Sequence, residues 1–253
     1  MAIERRFSPE IETAFVDWIK VNGIQVALFD LDDTLLDTNK LFTDQEEKFM
    51  EYCKNCIPEL DMKTFKEKFG EFNNLSFKLV GASPKKWSYI VSEMVKIYGE
   101  KSLVNGLQIF DEIYSSAPDI FEGVDDILRL YESVGIRLGL VTHAGAKWTD
   151  IKLDKHNLRE YFEHIEIIDV DEHKYKGPEH WQQAIDFFGV SPSNVMVTGD
   201  NVNGDILAAH SLGVRTLAWL PSKWHVYREG KLPDGVYVVD KIENLIHTLI
   251  INK

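Results

Sequence analysis

The chain has 253 residues, 44% of them hydrophobic, and its 41 acidic against 28 basic side chains give a formal net charge of −13. That length supports one large domain or two modest ones, and the composition excludes a disordered or collagen-like chain. The acidic balance argues against nucleic acid and acidic membrane faces as partners, and no apolar run approaches the roughly 18 residues of a membrane span.

Residues 1–20 read as a helical lead-in, with Ile11, Phe15, Trp18 and Ile19 on one face. Met1 to Arg6 lack the long apolar stretch of a signal peptide, so the cytoplasm is the expected compartment. Residues 25–29 form a short apolar run that ends in acidic residues, the mark of a buried parallel strand. Residues 38–117 show no strand pattern and several helix starts. Thr43 with Glu46 makes a candidate capping box, and Ser83 precedes Pro84 as an N-cap precedes a first-turn proline. Cys53 and Cys56 share C-x-x-C spacing, but no second pair exists and they lie in a helical pattern, so they read as helix cysteines.

Further strand signals follow at 136–141, 164–168, 194–198, 214–219 and 236–239. Between them Pro178 opens a helix that Gly189 closes, and Gly135 and Gly213 end two others. This alternation predicts an α/β fold with a doubly wound, Rossmann-like parallel sheet. The expected division is a lead-in over 1–20, a core from 21–37 and 118–253, and a helical insertion over 38–117 after the first core strand.

Ligands of such sheets bind beyond the carboxyl ends of the strands. Asp30, Thr142 and Asp200 each fall at or just after such an end, so the pattern draws them into one crevice. Asp30 and Asp32 are two apart, which lets both carboxylates face that crevice while Leu31 turns inward. One carboxylate can attack phosphorus and the other can move the proton. Asp30 and Asp200 suit Mg²⁺ as direct ligands, with Asp205 acting behind them or through water. Thr142 can donate its hydroxyl to a phosphoryl oxygen. Lys174 or Lys176 can supply a fixed positive charge, and Lys176 is favoured because it directly precedes the Gly177-Pro178 helix start.

Leu28 to Thr38, Leu138 to Thr142, and Val197 to Asp200 with Asp205 resemble the first, second and fourth motifs of the haloacid dehalogenase-like superfamily. The resemblance covers about residues 24–220. It implies Asp30 as nucleophile, Asp32 as acid/base, Thr142 as phosphate ligand, Asp200 as Mg²⁺ ligand and Asp205 as its support. The main-chain carbonyl of Asp32 would be a further metal ligand, so the implied metal set is Asp30, Asp32, Asp200 and Asp205. The third motif departs from the family, where lysine is directly followed by proline; here Gly177 intervenes. His143 stands where relatives carry a small or amide residue and is assigned to the substrate side with Thr142 and Lys176. The insertion over 38–117 resembles a cap domain of the first cap class. An aspartate at position 32 implies phosphate-ester chemistry, since dehalogenating and phosphonate-cleaving relatives generally lack it.

The expected activity is therefore Mg²⁺-dependent hydrolysis of a small phosphorylated metabolite through an aspartyl phosphate. The alternatives are a phosphomutase of the same superfamily and a non-hydrolytic phosphoryl-binding or switch protein. The loop over 219–228, with Trp224, His225 and Tyr227, either lines the crevice or packs on the lead-in helix. Neither the particular ester nor the oligomeric state is legible.

Overall fold

Six parallel strands run in the order β3-β2-β1-β4-β5-β6, which puts the first strand of the chain in the middle of the sheet. They are β1 (Val26–Phe29), β2 (Arg137–His143), β3 (His164–Ile168), β4 (Val195–Gly199), β5 (Thr216–Trp219) and β6 (Tyr237–Val238). The computed structural model describes residues 7–172 and 175–251. The order makes the chain step outward from β1 to β3 and then return to the other side of β1 at β4. The gap beyond the ends of β1 and β4 is therefore a topological switch point, where an open α/β sheet leaves a crevice.

All four residues of β1 are buried, and its two faces meet different helices. Ala27 and Phe29 join a core with α1 (Pro9–Asn22), α6 (Val124–Ser133) and α10 (Leu245–Ile251). Val26 and Leu28 join another with α8 (Pro178–Phe188) and α9 (Ala208–Ser211). Burial on both faces is why the strand reads as a continuous apolar run rather than an alternating one. Gly139 in β2 is required by this packing. A Cβ there would stand 2.7 Å from Leu28 and 2.8 Å from Phe188.

The expected lead-in is described from residue 7 onward. Ser8 caps α1, Phe15, Trp18 and Ile19 are buried, and Gly23 at φ 64 ends the helix. The strand expected from 214 begins at Thr216, because Val214 still completes the turn after α9 through its N–H to the Ala209 carbonyl.

Between β1 and α6 lie α2 (Thr38–Cys56), α3 (Met62–Val80), α4 (Lys85–Tyr98) and α5 (Gln108–Ser115). The capping box expected at Thr43 is not the helix start. Helix α2 already begins at Thr38, where the Asp37 carboxylate accepts the Lys40 N–H at 3.2 Å, so Thr43 lies inside the helix. Asp37, six residues upstream of Thr43, has the stronger claim as N-cap. Cys53 is buried and Cys56 half-buried, both as free thiols. These helices enclose an apolar cluster of their own, including Phe49, Phe65, Phe69 and a Trp87–Phe110 stack with ring centroids 3.9 Å apart. Trp148 of α7 (Ala146–Lys155) and Trp224 pack against it from the sheet side. At that seam the Lys86 ammonium position is buried, 3.6 Å from the Phe77 ring centroid and 4.2 Å from that of Trp87.

The insertion leaves and re-enters the core at one place. Asp37 donates its N–H to the Asp119 carbonyl at 2.8 Å, Phe121 to that of Leu35 at 3.0 Å, and Leu36 pairs with Ile120. No described helix is long and apolar enough to cross a membrane.

Candidate active site

Asp30 directly follows β1, and its N–H still donates to the Thr198 carbonyl at 2.9 Å, so the backbone carries sheet geometry up to the carboxylate. The chain then turns sharply. Thr34, Leu35 and Leu36 all direct their N–H groups at the Leu31 carbonyl, and Asp33 adopts φ 58, a left-handed conformation that aspartate tolerates better than most residues. This turn buries Leu31 completely and presents Asp30 and Asp32 on the same side, as their spacing suggested.

Asp30 is only 4% exposed. One of its oxygens accepts from the Lys176 ammonium, and the other accepts the Thr34 hydroxyl at 3.0 Å. Lys176 reaches it from the segment that opens α8, and also donates to the Val141 carbonyl at 3.0 Å and meets Asp205 at 2.6 Å. Asp205 lies in a π-helical turn, Val202–Leu207, that follows Asp200; its second oxygen accepts the Asn201 N–H at 2.9 Å. Single π turns inside helices recur at functional sites because they re-aim a side chain. Gly199 makes room for it, since a Cβ there would overlap the Asp205 carboxylate.

Asp200 follows β4, is 3% exposed, and has one carboxylate oxygen with no hydrogen-bond partner. Its backbone is fixed by the Trp219 indole N–H donating to its carbonyl at 2.7 Å. Carboxylate oxygens of Asp30, Asp200 and Asp205 lie within 4.8 Å of one another. Thr142 is completely buried in β2, and its hydroxyl also has no partner.

Electrostatics follow from this burial. Loss of water, opposed by Lys176 and reinforced by Asp205, raises Asp30 to about 7. Asp200 is pushed well above the ordinary carboxylate range by burial and then by Asp30 and Asp205. Burial works against the charge on Lys176, but Asp205 and Asp30 outweigh it and hold the ammonium above its usual range. Asp33 is raised to about 7, chiefly by burial, although the Asn39 N–H and the Trp224 indole N–H both donate to it.

The sequence-derived residues thus meet as follows. Asp30, Lys176, Asp200 and Asp205 form one buried cluster, and Asp32, Lys176, Asp200 and His143 line a common cavity of about 480 Å³. Lys174 lies outside the described residues. The loop over 219–228 divides its task, since Tyr227 lines the cavity while Trp224 packs between the insertion and Asp33. Phe77, Lys78 and Gly81 from the insertion also line the cavity. Two residues escaped sequence reasoning. Thr34 stood in a recognised run, but only its hydrogen bond to Asp30 gives it a part. Lys152, on α7, is fully buried with its ammonium 2.6 and 2.8 Å from the two oxygens of Asp32. Its position among Lys147, Asp150, Asp154 and Lys155 reads as a solvated helix face, so no local signal exposed it.

The donor set suits a hard divalent cation. Asp200 offers a buried, unpartnered oxygen, and only oxygen donors converge. Across Asp30, Asp32, Asp200 and Asp205, the two ammonium groups of Lys176 and Lys152 leave two negative charges, the complement of one divalent ion.

A parallel sheet with this strand order, a helical insertion after β1 and acidic groups at the switch point define a doubly wound α/β protein with an aspartate-based site. The haloacid dehalogenase-like hydrolase family model matches residues 27–219, and the chain belongs to that family of enzymes. Among curated relatives it is 28% identical over 229 residues to a pyrophosphatase, PpaX, of Bacillus mycoides, covering 89% of this chain and 97% of the relative. It is 26% identical over 226 residues to a glyceraldehyde 3-phosphate phosphatase of Pyrococcus abyssi, covering 89% and 94%. A haloacid dehalogenase-like hydrolase from Xanthomonas campestris has a similar fold, with a TM-score of 0.68 at 15% identity and coverage of 91% and 92%.

Proposed function

We propose that the protein is a Mg²⁺-dependent phosphatase that hydrolyses a small phosphate monoester through a phosphorylated Asp30. The observation that carries this reading is the buried Asp30 carboxylate at the end of the central strand, held by Lys176 and Thr34 beside an unpartnered Asp200 oxygen. Both curated relatives carry names for phosphoryl hydrolysis, which supports the same class.

In the first displacement an Asp30 oxygen attacks phosphorus and the ester oxygen leaves, taking a proton from Asp32. In the second, Asp32 takes a proton from water, the hydroxide attacks phosphorus, and Asp30 is released with inorganic phosphate. Lys176 sits against the nucleophile and offsets charge on the phosphoryl group, while the free Thr142 hydroxyl has a donor to give to a phosphoryl oxygen. Asp30, Asp200 and the Asp32 carbonyl would hold Mg²⁺, with Asp205 orienting Lys176 and the loop from behind, since it pairs with Lys176 and accepts the Asn201 N–H. Bound Mg²⁺ would supply charge stabilisation to the transferring phosphoryl group.

Residues 38–117 act as the cap in this reading, with Phe77, Lys78 and Gly81 facing the substrate's leaving group and Gly81 beside His143. A cavity of about 480 Å³ suits a small metabolite. A buried and a half-buried free thiol accord with a cytoplasmic enzyme.

The test is inorganic phosphate release from a panel of phosphate monoesters, with and without Mg²⁺, by the wild type and Asp30→Asn. Mg²⁺-dependent release that vanishes in the variant is expected. Wild-type rates in Asp30→Asn would end the nucleophile assignment, and activity that requires a bisphosphate and releases little phosphate would indicate a mutase.

A further inference from the structure

We propose that Lys152 is a positioning residue for the proton-transfer step, aiming one particular oxygen of Asp32, Oδ2, at the substrate's leaving group. The inference rests on the phosphatase reading and adds to it a residue outside the four motifs.

The argument begins with the cost of burying lysine. An ammonium taken wholly out of water is retained only where a partner compensates it. Lys152 is 0% exposed, and its hydrogen-bond partner among the described residues is Asp32 alone, at 2.8 Å to Oδ1 and 2.6 Å to Oδ2. Its ammonium lies over the Trp148 ring, 3.9 Å from the centroid. Trp148 is itself anchored, with its indole N–H donating to the Ser116 carbonyl at 2.9 Å. The lysine therefore approaches Asp32 along a fixed line.

The other contacts of Asp32 make the two oxygens unequal. Oδ1 also accepts the Thr38 hydroxyl at 2.5 Å, so it takes two donors. Among the described residues Oδ2 takes only the Lys152 ammonium, which leaves it an acceptor position to spare. Asp32 lines the cavity, and its side chain is 21% exposed while the lysine behind it is sealed. An acid/base carboxylate works only when the oxygen that carries the proton lies within hydrogen-bond reach of the reacting atom. Lys152 and Thr38 together leave Oδ2 as that oxygen. A surface ion pair would do none of this, because two mobile chains in water fix no geometry. Asp30 and Asp32 thus each meet a buried lysine, Lys176 (which Asp30 shares with Asp205) for one and Lys152 for the other.

The readout is the dependence of kcat/KM on the leaving group, since this ratio reports the first displacement, in which Asp32 donates its proton. An alkyl phosphate needs that proton, and 4-nitrophenyl phosphate, with its stable phenolate, needs it far less. Misplacing a reacting group by about an ångström costs on the order of a hundredfold. Lys152→Met is therefore expected to lose about thirty- to a hundredfold in kcat/KM on the alkyl ester, and about threefold or less on 4-nitrophenyl phosphate. Placed in an Asp32→Asn background, it is expected to remove almost nothing further. Lys152→Gln repeats the comparison should the methionine variant not fold, and Lys152→Arg is expected to restore part of the alkyl-ester rate. Equal losses on both esters, or losses that multiply with those of Asp32→Asn, would overturn the proposal and leave Lys152 a structural ion pair. A wild type that releases phosphate from neither ester would instead remove the phosphatase reading and this inference with it.

Discussion

Replacing Asp200 with asparagine separates what the site does for catalysis from what it costs the fold. Asp200 is 3% exposed, has an oxygen without a partner, and lies within 4.8 Å of carboxylate oxygens of Asp30 and Asp205. At that separation two unit charges repel by about 3 kcal/mol for an effective dielectric constant of about 20. Lys176, bonded to both neighbours, offsets part of this, so about 2 kcal/mol is the expected penalty in metal-free protein. Asparagine removes the charge, keeps an oxygen for the Ser222 hydrogen bond, and turns an amide donor toward the remaining carboxylates. Metal-free Asp200→Asn should therefore melt about 4–8 °C above the wild type at pH 8. Mg²⁺ should reverse the order, since a ligand at about a hundred times its Kd adds about 2.7 kcal/mol to the protein that binds it. Scanning calorimetry of both proteins, with and without Mg²⁺, reads both effects without any turnover. A variant that melts below the wild type in the absence of Mg²⁺, or that keeps the full Mg²⁺ shift, would refute the reasoning.

The same carboxylates give the metal response a pH dependence. Asp30 is raised to about 7, so below that pH it holds a proton that competes with the cation, and Asp200 is shifted in the same direction. Because the folded-state value of Asp30 lies above the unfolded one, its contribution to metal-free stability is complete below about pH 4 and is lost as pH rises through 7. The Mg²⁺-induced rise in melting temperature should thus be small at pH 5 and full at pH 8, which paired melts at the two pH values would check. In the sheet, Gly139→Ala must push a methyl into Leu28 and Phe188, and urea unfolding should show a loss of about 1–3 kcal/mol.

Much of the fold is written in local signals. Burial of β1 on both faces forces an unbroken apolar run, and the helix that follows Lys176 announces itself through Pro178 and Gly189. The acidic residues of the site are legible for a related reason. A carboxylate immediately after such a run has few reasons to be there other than the crevice beyond the strand. Lys176, favoured over Lys174 for its place at the helix start, lies against Asp30, while Lys174 falls outside the described residues. What stayed hidden depends on contacts between distant segments. Lys152 is 120 residues from Asp32, and a lysine amid alternating charges looks solvated until the packing of α7 against the turn after β1 seals it. Thr38 likewise serves twice, as the first residue of α2 and as a donor to Asp32, and spacing along the chain predicts neither.

The joint between insertion and core bears on how such enzymes diversify. Residues 35–37 and 119–121 leave and return side by side, zipped by the Asp37–Asp119 and Leu35–Phe121 hydrogen bonds. To the sheet, everything between them is a single loop whose ends are already tied. The entropy of closing a loop grows only logarithmically with its length, so exchanging one set of helices for another is nearly neutral for the tied ends. Descendants of one ancestor could therefore inherit the acidic crevice unchanged while trading the helices above it, and with them the walls supplied by Phe77, Lys78 and Gly81. Recombination at this short two-stranded neck offers a lineage new substrates without re-inventing the chemistry.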